Sequence, residues 1–181
     1  IFFQHMEKHI GQSYFDNIYL FINPGDYVAP EYVTVVEYDP SHCFTYQMRS
    51  CLSQVKEDIL LYCNEDYIFY EDARLDIANE LLFELINSNF SFIKFVHTDI
   101  ESYAPYSDNL LIIDKNSSNN FSQTLSFWKT KDIINIHKHC PPAGIGAMGN
   151  IIGHLEEAAK QVCRDLDIKG FCYYNNEPKR A

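Results

Sequence analysis

Asn64-Glu65-Asp66 sets two adjacent carboxylates directly after the apolar run Ile59-Leu-Leu-Tyr-Cys63. Adjacent carboxylates repel unless something positive lies between them, and a hard divalent cation, Mg²⁺ or Mn²⁺, is the usual solution. An ion held there would bridge to a diphosphate and stabilise charge on a leaving group. The same acidic turn could instead serve the following helix, since Asp66 or Asp72 near its start offsets the helix dipole. The spacing alone leaves both readings open.

Four further groups invite chemistry. Glu71-Asp72 with Arg74-Leu-Asp76 opens the strongest helical pattern and reads as capping. His97-Thr98-Asp99 follows another apolar run and suits a base, a metal ligand or a loop hydrogen-bond network. His137 and His139 have a spacing that fits chelation in a strand but not in a helix, and with no third ligand nearby zinc is not expected. Gly144-Ile-Gly-Ala-Met-Gly149 precedes a helix, as a phosphate cradle does. Pro141-Pro142 stands before it where a strand would be needed, so it reads as a connecting loop or a lid with Gly hinges.

These residues must be positioned by regular elements. Ile18–Ile22, Val33–Val36, Asp58–Cys63, Phe92–Val96, Leu110–Ile113, Phe121–Trp128 and Gly170–Tyr174 read as strands. Several are apolar throughout, as in strands covered on both faces. Helical spacing recurs over residues 2–15, 44–55 (Tyr46, Leu52 and Val55 inward), 71–87 (Ile77, Leu81 and Leu85 inward), 132–137 and 150–166. Strands alternating with helices predict an α/β fold with a mostly parallel central sheet and helices on both faces.

The chain has 181 residues, which suits one domain spanning residues 1–181. Its net charge of −11 argues against nucleic-acid binding and against simple attraction to anionic lipid. The six cysteines form no C-x-x-C pair or zinc module and read as buried, reduced thiols. No apolar run approaches a membrane span and no signal peptide is visible. The expectation is a cytoplasmic protein, with peripheral attachment to an inner membrane left open. The 13 Tyr and 13 Phe suit either a polar ligand cleft or an aromatic core and oligomer surface. Ile1 opens inside an apolar pattern and Ala181 follows Lys179-Arg180, so both ends read as cut.

The order of motifs carries a resemblance. Tyr46-Gln-Met-Arg49, a helix, then Ile59-Leu-Leu-Tyr and Asn64-Glu-Asp-Tyr67 resemble glycosyltransferases of the GT-A type, in which a buried strand ends in a D-x-D-like motif. Phe121-Ser-Gln-Thr-Leu-Ser-Phe-Trp-Lys129 resembles that fold's acceptor-side strand. His154-Leu-Glu-Glu157 resembles the later acidic position from which inverting members draw a base. The resemblance spans Asp16 to Tyr174 in element order. It implies sugar transfer from a nucleotide-diphosphate donor to a glycan hydroxyl. Asp66, with Glu65, would hold a Mn²⁺ or Mg²⁺ ion or the diphosphate, and Asn64 stands where the family has its first Asp. Glu156 or Glu157 would be the general base. Tyr67 and Trp128 would pack on sugar rings. The family's first strand is missing ahead of Ile1, which would leave a neighbouring strand exposed to pairing between chains. Rival expectations are another metal-assisted enzyme such as a nucleotidyltransferase, and a truncated, non-catalytic domain that binds sugars or forms a homo-oligomer.

Overall fold

The computed structural model describes residues 1–25, 27–64, 66–96, 103–142 and 151–175, with no side-chain description for residues 151–154. Helices form at α1 (Phe2–His9), α2 (Phe44–Leu52), α3 (Leu75–Asn87), α4 (Thr130–His139) and α5 (Ile151–Asp165). Strands form at β1 (Ile18–Ile22), β2 (Val33–Glu37), β3 (Ile59–Tyr62), β4 (Phe92–Lys94), β5 (Ala104–Pro105), β6 (Leu110–Ile113), β7 (Ser126–Lys129) and β8 (Gly170–Tyr173). The His97-Thr98-Asp99 group and the Gly144–Gly149 loop lie outside the described residues. Among those described, no helix is long and apolar enough to cross a membrane.

Six strands pair in the order β3-β7-β4-β8-β6-β5, while β1 and β2 form a separate parallel pair. The expected mostly parallel sheet is corrected: it is mixed, and β4 with β8 is its one parallel pair among the described residues. β3 and β4 both run antiparallel to β7 and therefore share one direction, as β8 does. The helical crossover through α3 leaves a gap one strand wide between β3 and β4. β7 fills it from the opposite end.

Strand alternation divides the core into two layers. Ile93, Phe127 and Phe171 face α3 through Leu81 and Leu85. Phe92, Trp128 and Cys172 face the other way, against Leu52 of α2, Ile133 and Ile136 of α4, and Leu155, Ala159 and Cys163 of α5. Helices thus cover both faces. Trp128 is only 1% exposed and packs on Phe92 at 4.5 Å between ring centroids. Gly170 has no room for a side chain, because a Cβ there would lie 2.5 Å from both the carbonyl oxygen and the ring of Phe92.

Two local expectations change. α3 starts at Leu75 and not at Glu71, and no side chain caps it. Asp72 accepts a contact from His9 at 3.0 Å, and the Ala73 N–H donates to the His9 carbonyl. Only Asp76, paired with Arg74, falls in the first turn, where its charge complements the dipole. In α2, Met48 and Leu52 turn inward while Tyr46 lies outside under the Arg49 guanidinium.

His137 and His139 face apart. His139 is exposed and bonded to the Asn135 carbonyl, while His137 is 2% exposed with the Phe121 ring edge-on to it. Its buried Nδ1 has no hydrogen-bond partner among the described residues, and burial pushes its pKa from 6.5 down to about 4. The fold keeps this imidazole neutral where the unfolded chain would take up a proton. Its contribution is complete above pH 6.5 and is lost as pH falls from 6.5 to about 4, on the order of 3 kcal/mol in all. Urea unfolding across that window should show the parent losing stability faster than His137→Leu. Parallel pH curves for the two would refute the buried neutral imidazole.

Candidate functional site

β3, β4 and β8 deliver their C-terminal ends to one edge of the sheet, the edge where open α/β sheets receive ligands. In register across that edge stand Tyr62, Ser126, Lys94 and Cys172. β3 passes directly into Cys63 and Asn64. The segment leading into β7 arrives at the same edge, because β7 begins where its neighbours end.

The peptide units of this lead-in segment tie the corner together. The Asn64 side-chain Nδ2 donates to the Gln123 carbonyl at 3.0 Å. The Gln123 N–H donates to the Glu156 carboxylate of α5 at 2.8 Å. Two residues on, the Leu125 N–H donates to the Tyr67 hydroxyl at 3.4 Å, and the Tyr67 N–H donates to the Asn64 carbonyl at 3.3 Å. Gln123 is 8% exposed, and its own side-chain Nε2 is buried without a hydrogen-bond partner among the described residues.

Lys94 lies beneath the corner at 3% exposure. Its ammonium donates to the Asn119 carbonyl at 2.6 Å, and it forms no ion pair among the described residues. Burial pushes its pKa down to about 8, with the Glu156 charge among the influences acting against that shift. The side chain is therefore a buried cation at neutral pH.

The structure brings three of the expected residues, Asn64, Tyr67 and Glu156, onto one segment, residues 123–125. Asp66 is exposed, and Glu65 lies outside the described residues. Glu157 points outward into an ion pair with Lys160 at 2.7 Å, which holds its carboxyl below the usual range. Of the two candidate bases, only Glu156 reaches the corner. Trp128 is corrected: it is a core residue whose Nε1–H donates to Ser126, and it offers no face to a ligand. Trp128 shares with Phe92 the face of the sheet that α2, α4 and α5 cover. Among the described residues no three His, Cys, Asp or Glu side chains gather to hold a metal ion.

Sequence reading missed Gln123 and Lys94. Gln123 contributes main-chain groups, which leave no side-chain signature. Lys94 did carry a signal, since a lysine inside Phe92-Ile-Lys-Phe-Val96 cannot reach solvent from a central strand.

On the α3 face a cavity of about 650 Å³ is lined by Tyr14, Phe15, Phe69, Phe95, Phe127 and Tyr173. Leu125, bonded to Tyr67, is also part of its wall. Its volume is that of a small-ligand site.

No protein-family model matches the chain, and no curated protein matches it. Fold and site define an α/β domain with a mixed six-stranded sheet and a hydrogen-bonded polar corner where three co-directional strands end.

Asn64→Asp would replace the donor to the Gln123 carbonyl with a carboxylate. The variant should lose about 1–3 kcal/mol in urea unfolding at neutral pH. An unchanged midpoint would show that the Asn64 bond contributes nothing to the corner.

Proposed function

We propose that this chain carries a sugar-transfer site of GT-A type, moving a sugar from a nucleotide-diphosphate donor to a hydroxyl of a glycan acceptor. The observation that carries the reading is the Gln123 main chain. It links Asn64 after β3 to Glu156 on α5, the positions where the resemblance puts donor binding and proton removal. Asn64 and Asp66 then face the donor diphosphate. Glu156 takes the proton from the acceptor hydroxyl as that oxygen attacks the anomeric carbon of the donor sugar, whose bond to the diphosphate oxygen breaks and releases the nucleoside diphosphate. One of its carboxylate oxygens is fixed by the Gln123 N–H, and the other makes no described hydrogen bond. Aromatic rings of the neighbouring cavity, the partly exposed Phe69 and Tyr173 among them, offer stacking faces to acceptor sugars in place of Trp128. Asp66 and Glu65 are the residues through which Mn²⁺ or Mg²⁺ would enter the same reading.

The test is a thermal-shift panel of nucleotide sugars and nucleoside triphosphates, with and without Mn²⁺, followed by turnover with the donor that binds. A donor should raise the melting temperature by mass action. Asp66→Asn should weaken that rise. Glu156→Gln keeps an oxygen for the Gln123 N–H and should lower kcat by about 100-fold or more with little change in KM. A response to triphosphates alone favours a nucleotidyltransferase. A parent chain indifferent to every donor sinks the proposal.

A second reading, self-association, is favoured by the strands themselves. β1 and β3 are outer strands, apolar at every position and half-buried throughout. Neither carries the Lys, Pro or charge that ordinarily guards an edge. They approach at Asn17 and Tyr19, both bonded to Glu57, yet do not pair as strands. Light scattering should then show mass rising with concentration. A constant monomer mass rejects this reading and leaves sugar transfer untouched.

A further inference from the structure

A lone ammonium is costly to bury, and a core selected for packing alone would replace Lys94 with an apolar side chain. Lys94 instead grips the Asn119 carbonyl at 2.6 Å from the sheet below. Four residues on, Glu156 grips the Gln123 N–H at 2.8 Å from α5. Between them, the fully buried Asn120 side chain donates to the Lys115 carbonyl and to the Lys160 carbonyl of α5. Residues 119–123 are therefore held between a cation and a carboxylate that do not pair with each other.

We propose that Lys94 is a positioning residue: through the Asn119 carbonyl it fixes the 119–123 segment in the shape that joins Asn64 to Glu156. What the joined pair then does rests on the sugar-transfer reading, but the positioning itself does not. The groups acting on Lys94 are Cys172 from β8 and Glu156, Lys160 and Cys163 from α5. Burial pushes the Cys163 thiol up to about 12, so it is uncharged, and Lys160 is engaged by Glu157. Glu156 is the one carboxylate among these groups.

Lys94→Met separates this role from a merely structural one, because the two predict opposite directions. Removing a buried charge should leave global urea stability equal or higher. At the same time the Gln123 amide should exchange about tenfold faster, with Leu85 in α3 unchanged. Lys94→Arg should restore the slow exchange. Unchanged Gln123 protection overturns the proposal, as does a parallel loss of local protection and global stability. A reciprocal measurement holds even if Lys94→Met fails to fold. NMR titration of Lys94 in Glu156→Gln should show its proton lost at lower pH than in the parent, and an identical midpoint overturns the coupling. Neither readout needs a donor, so a chain that binds no nucleotide sugar defeats sugar transfer while these results still judge Lys94.

Discussion

The main chain of Gln123 is where strand, turn and helix meet. Its carbonyl is taken by the amide that follows β3, and its N–H by a carboxylate of α5. A neutral hydrogen bond of this kind contributes about 1 kcal/mol net, and one to an ionised carboxylate roughly twice that. The larger effect is exclusive. With Gln123 nearly buried, breaking either bond strands a desolvated polar group, which costs more than the bond contributes. The segment therefore has one shape, and Asn64 and Glu156 are held in register by it.

That junction depends on the direction of β7. In a sheet built only of parallel strands, each strand is entered from the edge opposite to the one where its neighbours end. β7 runs the other way, so the chain that feeds it must arrive at the C-terminal ends of β3, β4 and β8. β6 ends beside Gly170 at the opposite edge, so residues 114–125 cross the face of the sheet to get there. The antiparallel strand is what places main-chain groups at the ligand edge. It also sets Ser126 beside Lys94 and Tyr62, making a polar step in a row otherwise bounded by apolar side chains.

Element positions were legible because each rests on local periodicity. Leu110–Ile113 forms a strand over the four expected residues, and α2, α4 and α5 fall within a few residues of their patterns. Strand direction was not legible, since an apolar run covered on both faces reads the same either way. The start of α3 was missed because Asp72 and Ala73 are engaged by His9, more than sixty residues earlier in the chain. At the site, Asn64 was singled out by its place after an apolar strand, and Glu156 only by the family resemblance. Trp128 was misplaced because helices cover both faces of the sheet, so an aromatic residue on β7 is core whichever way it points. Gln123 acts through atoms that every residue possesses, and no side-chain pattern could have marked it.

Among the described residues, local rules are broken in three places: a buried lysine without an ion pair at Lys94, a buried side-chain amide without a hydrogen-bond partner at Gln123, and outer strands β1 and β3 without edge guards. Sequences that specify a fold agree with themselves across levels, and departures gather where something other than folding is selected. Two of the three departures share the corner that Asn64 and Glu156 occupy. A structural corner would be served as well by an apolar residue at 94 and a small one at 123, with no buried charge to offset. The coincidence of costly groups with co-directional strand ends is therefore the physical ground for treating this corner as a site. The unguarded edges stand apart from it, beyond β3, and bear on how the sheet meets other strands and not on what the corner binds.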